Sequence, residues 1–147
     1  MFHFRFEALL SARRHTEESL QKELSEARRA LAVEQAVLRE KTHARRQCLQ
    51  AQRRQQRQSF RGSDMLLYTA YLQRLERDIA IQQKRVSAAE RQAGQKRQVL
   101  IEAMKKRKIL EKLKEKDQET HLRSLSERER KFLDEVAART HAMTRSA

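Results

Sequence analysis

Apolar residues recur at steps of three and four along most of this chain, which is the spacing of helices that pack in coiled coils. The first run of the pattern extends from Leu10 to Leu38, and glutamates interrupt it at two places. Its positions are Leu10, Arg13, Glu17, Leu20, Leu24, Ala27, Leu31, Glu34 and Leu38. The run predicts a long helix that buries one narrow seam against a partner helix.

A second and longer run of the same pattern occupies the other half of the chain. Its positions are Tyr68, Leu72, Leu75, Ile79, Gln82, Val86, Ala89, Ala93, Lys96, Leu100, Ala103, Arg107 and Leu110. After a basic stretch the pattern resumes through Leu122, Leu125, Glu129, Phe132, Val136 and Met143. Residues 39–61, between the two runs, are rich in Arg and Gln, so we expect the seam to fade there although the helix continues.

The break between the two helices is expected at residues 59–64. Gly62 can end a helix in the left-handed conformation, and Ser63 or Asp64 can cap the next helix. The sequence therefore predicts helix 1 over about residues 3–60, a turn at 61–64 and helix 2 over about residues 65–143. Two helices joined by a short turn bury their seams only if they lie antiparallel, so the predicted fold is all-α, an antiparallel coiled-coil hairpin forming a single elongated domain over residues 1–147. Facing residues should have numbers adding to about 125, which leaves roughly the last 20 residues of helix 2 as an overhang.

Composition excludes most other architectures. The chain has 147 residues with no proline, no tryptophan and two glycines, which is too few turn formers for a sandwich or barrel. Lys and Arg number 34 against 20 Asp and Glu, a net charge of +14. That surplus fits a solvated face, docking onto an acidic protein surface, or nucleic-acid binding. The absence of aromatic residues among the arginines argues against nucleic acid.

Catalytic, cofactor and metal sites are not predicted. The glycines are too isolated to cradle a phosphate, and the histidines lack metal-ligand spacing, although His3 and His121 are expected to lie near each other. Cys48 is the only cysteine, which fits a reducing compartment and a packing role. No apolar stretch approaches the roughly 20 residues of a membrane span, so we expect a soluble cytoplasmic protein without membrane insertion.

Phenylalanines are concentrated where the chain termini should meet. Phe2, Phe4 and Phe6 lie at the start, and Phe132 lies in the expected overhang. Phe2 and Phe6 are four residues apart and share a helix face, so they are expected to plug the end of the hairpin. Phe4 points elsewhere, and we expect it to lack cover from its own chain and to be free for a partner.

Three motifs carry a family resemblance. The opening, Phe4-Arg5-Phe6-Glu7-Ala8-Leu9-Leu10 followed by Arg13, resembles the start of the flagellar type III export protein family FliJ. The segment Tyr68-x-x-Tyr71-Leu72-x-x-Leu75-x-x-x-Ile79 is similar to the start of that family's second helix, and residues 131–139, KFLDEVAAR, are similar to its C-terminal signature. The motifs occur in the family's order, with the predicted break between the first two.

The resemblance implies a non-enzymatic stalk protein of flagellar biogenesis. Such a protein inserts into the ring of the hexameric export ATPase, promotes its assembly and activity, links it to the cytoplasmic domain of the large export-gate membrane protein and handles export chaperones. It works in the cytoplasm, associated peripherally with the inner membrane through the apparatus. The implied ring-binding residues are Phe4, Leu9, Leu10, Arg13, Phe132, Leu133, Asp134, Glu135 and Arg139. The implied gate-binding residues are Tyr71, Leu75, Asp78 and Gln82.

Two alternatives stay open from the sequence. One is the stalk protein of a virulence type III secretion injectisome, a close relative of the flagellar family. The other is a basic coiled-coil protein that binds nucleic acid, which should lose affinity steeply as the salt concentration rises.

Overall fold

The structure, a computed structural model, describes residues 1–58 and 62–146. Helix α1 is Glu7–Gln58 and helix α2 is Gly62–Arg145, and no strand occurs in the described residues. The chain forms two compact units, Met1–Glu17 with Glu102–Ala147 and Glu18–Ile101. Within each unit α1 and α2 pack against each other in antiparallel orientation, which confirms the predicted all-α, two-helix fold.

Three of the four residues predicted to form the turn, Gly62, Ser63 and Asp64, are helical. α2 begins at Gly62 rather than near residue 65, and no described glycine has a positive φ, so Gly62 does not end a helix as predicted. Ser63 and Asp64 lie inside the first turn of α2, where the Asp64 carboxylate complements the unpaired N–H groups of the helix start. Residues 59–61, with the predicted turn residue Arg61, lie outside the described part of the chain.

In the unit Glu18–Ile101 the buried face of each helix follows the predicted seam. Every predicted seam position in this unit is buried or partly buried. Lys96 Nζ lies 3.0 Å from Glu23 Oε2, and Arg45 Nη2 lies 3.7 Å from Glu76 Oε1, so the chain directions are antiparallel. The most buried apolar side chains of this unit are Leu24, Cys48, Leu75, Ile79 and Val86.

The seam continues through the basic stretch, where it was expected to fade. Cys48 is buried, and partly buried residues recur around it at Lys41, Ala44 and Gln55. Near the end of α1 the Gln52 amide lies 4.0 Å from the Met65 sulfur. Alanine is small enough to fit a narrow seam, and glutamine and lysine can cover it with their alkyl stems while their polar ends reach water. A leucine repeat is therefore not required there.

A polar pair crosses the seam of the same unit. Gln82 is only 1% exposed, and its Nε2 donates a hydrogen bond to the backbone carbonyl of Glu34 at 2.9 Å. A second, short hydrogen bond joins the same amide to the Glu34 carboxylate. Because a buried polar group must find partners, this pair favours one register of α1 against α2 over its neighbours.

The unit Met1–Glu17 with Glu102–Ala147 has its core at the start of α1. α1 begins at Glu7, later than the predicted start near residue 3, and the Glu7 N–H donates to the Phe4 carbonyl at 3.3 Å. Phe4 and Leu10 are buried here. The helix starts late because the preceding residues turn the Phe4 side chain inward instead of continuing the helical face.

Paired residues follow the predicted register closely. The rings of Phe2 and His121 are 5.5 Å apart, as expected if facing residue numbers add to about 125. In the unit Glu18–Ile101 the pairs Arg45–Glu76 and Glu34–Gln82 give sums that are a few lower. Every residue from 125 to 146 is exposed, which confirms the predicted C-terminal overhang.

Candidate interaction surfaces

The C-terminal segment, which we define as residues 125–146, exposes an apolar row on a regular helix. Leu125, Phe132, Val136 and Met143 are separated by steps of seven or four, so they share one face. Phe132 is 66% exposed, and Leu133 beside it is 64% exposed. The charged residues of the sequence motif are exposed as well, at Asp134, Glu135 and Arg139.

The aromatic residues at the chain start have roles opposite to those expected. Phe4 is 3% exposed, so the expectation that it lacks cover from its own chain is wrong. Its ring meets the ring of Phe6 edge to face, with centroids 5.9 Å apart. Phe6 stays partly accessible, with the Arg5 guanidinium 5.4 Å from its ring centroid. Phe4 is therefore the plug of this unit, and Phe6 is the aromatic residue that a partner can reach.

The two adjacent leucines of the opening motif also divide between core and surface. Leu10 is completely buried, whereas Leu9 is exposed. Arg13 is partly buried at its seam position. Of these three residues, Leu9 has the most surface free for a partner, while Leu10 holds α1 against α2.

The predicted ring-binding residues do not form one cluster. Phe2 contacts His121, which aligns the start of the chain with that point of α2. Phe132 lies about 16 Å further along the same helix, at 1.5 Å rise per residue. The structure therefore brings Leu133, Asp134 and Arg139 into one neighbourhood with Phe132 but leaves the N-terminal residues in another.

An ion-pair network lies at the first turns of α1, and the sequence analysis did not identify it. The Arg107 guanidinium donates to the Glu17 carboxylate in a short hydrogen bond and to Glu111 Oε2 at 2.8 Å. Arg14 Nη2 lies 3.6 Å from Glu111 Oε1. Hydrogen bonds to Glu17 and then Glu111 raise the pKa of Arg107, while the hydrogen bond from Arg107 lowers the pKa of Glu111. The sequence did contain a signal for this pairing: Glu17 and Arg107 have opposite charges, both are seam positions, and their numbers add to about 125.

Of the four residues predicted to bind the export gate, two are accessible to solvent and two are buried. Tyr71 is 49% exposed and Asp78 is partly exposed. Leu75 is buried in the seam, as its place in the pattern indicated. Gln82, which was also expected to contact the gate, is occupied by Glu34 and has no free surface, because its amide satisfies a buried polar contact.

Tyr71 lies on one wall of a shallow cleft near the start of α2. Gln55 of α1 lines the cleft together with residues of α2. The α2 residues are Asp64, Leu67, Tyr68 and Tyr71. Leu67 and its neighbour Leu66 are highly exposed, and sequence reasoning missed both because they fall outside the seam pattern. An exposed leucine pair next to two tyrosines forms an accessible apolar area apart from the C-terminal segment.

The described residues contain no group of three or more potential metal ligands. His3 and His121 line one depression, as expected from their numbers. Burial raises the pKa of the Cys48 thiol, which disfavours the reactive thiolate. In the described part of the chain, neither helix contains an apolar stretch long enough for a membrane span.

Comparisons with known proteins agree with this arrangement. The model of the family described as Flagellar FliJ protein matches residues 2–146. Among solved structures, the chain is similar to CT670 from Chlamydia trachomatis, which is described as a YscO homolog, with a TM-score of 0.67 and 23% identity. That alignment covers 100% of this chain and 99% of the other and shows a shared fold. No curated protein matches the chain.

Proposed function

The chain belongs to the flagellar FliJ protein family, and on that premise we propose that it is the stalk of a flagellar type III export apparatus. In this role its C-terminal segment enters the ring of the hexameric export ATPase and promotes assembly and activity of the ring. The stalk catalyses no reaction itself, and it works in the cytoplasm at the inner face of the membrane.

The observation that carries this proposal is the exposed apolar row of the C-terminal segment. Phe132 and Leu133 leave more than half of their surface in water although they lie on a regular helix. Large apolar side chains exposed together are a common mark of a binding surface. A single helix is also narrow enough to enter the centre of a ring, since a helix with its side chains is about 10–12 Å wide.

Charge then gives the ring contact its specificity. Asp134, Glu135 and Arg139 flank the apolar pair and are exposed to solvent. We assign these three residues, with Phe132 and Leu133, to the direct ring contact. The N-terminal residues have supporting roles. Leu9 and Arg13 belong to a separate neighbourhood at the start of α1, while Phe4 and Leu10 keep that start in place through burial.

The second part of the proposal concerns the export gate. We assign the gate contact to the cleft at Tyr71, which presents ring area and a hydroxyl that stays in water. Asp78 extends this surface along α2. Leu75 and Gln82 shape it from below, since both are buried in the seam. Export chaperones are further expected partners of the same stalk, without an assigned surface.

The alternative host system is an injectisome. The likeness to a YscO homolog concerns the fold that both systems share, so phenotype is the deciding observation. Loss of a flagellar stalk abolishes swimming, whereas loss of an injectisome stalk abolishes secretion of virulence effectors and leaves swimming intact.

The proposal is tested by measuring ATP hydrolysis and ring assembly of the purified export ATPase with the full-length chain. We expect the chain to raise both, and the double variant Phe132→Ala/Leu133→Ala to lose most of the increase. Ile109→Ala is the matched control, because Ile109 is an apolar residue of α2 with 66% exposure outside the C-terminal segment.

The variant and the control give distinct outcomes. The double variant should keep the helix content of the parent chain, since exposed residues contribute little to stability. Equal stimulation by the parent chain and the double variant would remove the C-terminal segment from the ring contact. No stimulation by the parent chain would contradict the stalk function itself.

A further inference from the structure

A row of arginines follows the outward face of α1. Arg39, Arg46 and Arg53 are spaced seven residues apart, and Arg57 follows four residues later. All four are exposed. At 100° per residue they lie opposite the side of α1 that carries the buried Cys48. They form a straight row, which we call the arginine row, with about 10.5 Å between the first three members.

The arginine row is not neutralised by the rest of the chain. Glu40 is the only acidic residue in the stretch from 39 to 57. Among the described residues the ion pair of this stretch joins Arg45 to Glu76, on the flank of the helix, and no carboxylate pairs with the row. Seven further exposed residues lie between these arginines, and Glu40 is the one among them that carries a negative charge: Glu40, His43, Arg45, Gln47, Gln50, Arg54 and Gln56.

The spacing favours a helical ligand. Residues seven apart on any α-helix are also about 10.5 Å apart on nearly one face, so a helix lying alongside α1 with a carboxylate at every seventh residue meets each arginine in turn. Guanidinium groups bind carboxylates through two parallel hydrogen bonds, which gives such pairs a defined geometry.

Two other anionic surfaces fit less well. The phosphates of a nucleic-acid duplex follow a winding path, so a straight row about 27 Å long cannot track one strand. A lipid surface is bound by helices that place large apolar residues beside the basic ones. The exposed residues between these arginines are polar or charged, and the apolar face of α1 is occupied by α2.

We propose that the arginine row of α1 is a docking surface for an acidic helix of another protein, one that presents Asp or Glu at seven-residue intervals. This surface is separate from the C-terminal segment and from the cleft at Tyr71. The proposal does not depend on the stalk function. It gives a role to four arginines that have no partner among the described carboxylates.

The test uses the full-length chain and two synthetic helical peptides of identical composition. One peptide carries four glutamates at seven-residue intervals, and the other distributes them around the helix at five-residue intervals. Fluorescence anisotropy at low ionic strength should give tighter binding of the aligned peptide. The triple variant Arg39→Gln/Arg46→Gln/Arg53→Gln should weaken that binding about ten-fold, since each exposed pair contributes modestly.

A second triple variant controls for net charge. Arg29→Gln/Lys106→Gln/Lys116→Gln removes the same charge from exposed positions outside the row and should weaken binding much less. Equal losses in the two triple variants, or equal binding of the two peptides, would overturn the proposal. Tighter, row-dependent binding of duplex DNA or of vesicles containing anionic lipid would also overturn it, by assigning the row to another class of ligand.

Discussion

Two stretches of α2 carry the same apolar pattern in different surroundings. Between Tyr68 and Leu110 the pattern positions are buried or partly buried against α1. Between Leu125 and Met143 they are exposed. Both stretches contain large apolar side chains at steps of three and four, so the side chains do not explain the difference. α1 explains it, because the start of the chain already meets α2 at His121.

The comparison shows that the sequence pattern that gives a helix an apolar face is distinct from the contact that buries that face. Periodicity requires only that apolar residues return to one side of a helix. Whether that side is buried depends on a partner, which is α1 for the first stretch. The second stretch has the same kind of face without α1 opposite it, so we assign its burial to another protein.

The largest difference between the two stretches should appear in stability. Leu75→Ala, in the buried stretch, should lower the free energy of unfolding by about 2–4 kcal/mol, because it removes buried methyl groups and leaves a void in the seam. The matched substitution Leu133→Ala, in the exposed stretch, should change it by less than about 0.5 kcal/mol. Urea unfolding followed by circular dichroism measures both values.

Similar losses for the two leucine variants would break the comparison. That result would mean that the C-terminal segment is buried in solution, by self-association or by folding back. Repeating the unfolding at several protein concentrations distinguishes these two cases, because only self-association makes stability depend on concentration.

The polar pair in the buried stretch should give a smaller effect. Gln82→Leu keeps the volume of the side chain but leaves the Glu34 carbonyl and carboxylate without their donor, at a cost of about 1–2 kcal/mol. Gln83→Leu, at the exposed neighbouring position, is the control and should be nearly neutral. A Gln82→Leu chain as stable as the parent would show that the pair does not hold the register of the seam.

Much of the fold could be predicted from periodicity alone. The positions from Leu10 to Leu38 and from Tyr68 to Leu110 are all buried or partly buried, because in a two-helix fold one face per helix is all that can be covered. The C-terminal overhang followed from helix lengths. The break was placed too late, since Gly62 can begin a helix as well as end one.

The candidate surfaces were harder to predict, because exposure depends on what lies opposite each residue. Gln82 was expected to be available to a partner, yet Glu34 across the seam satisfies its amide. Phe4 was expected to be free, yet the residues before α1 fold it inward. Leu67 and Tyr71 form one cleft only because Gln55 of α1 closes it, which no pattern within α2 can indicate.

The smallest effect that we expect is the pH dependence of stability that comes from the ion-pair network of Arg107, Glu17 and Glu111. The hydrogen bond from Arg107 holds the pKa of Glu111 below its ordinary value in the folded state. A lowered carboxyl pKa stabilises the folded chain above the unfolded pKa, near 4.3. That contribution is lost as the pH falls through the lower folded value, because the carboxyl must then be protonated in both states.

The measurement is the urea midpoint between neutral pH and pH about 3. The parent chain should lose stability as the pH falls below about 4.5, and Glu111→Gln should lose less over the same range because it lacks this titrating group. Glu135→Gln, which removes a carboxyl from the exposed C-terminal segment, controls for the loss of one negative charge. If Glu111→Gln and the parent chain show the same slope, Arg107 does not couple to Glu111 in solution. The contrast between the two stretches of α2 would then rest on apolar packing and on the Gln82 pair.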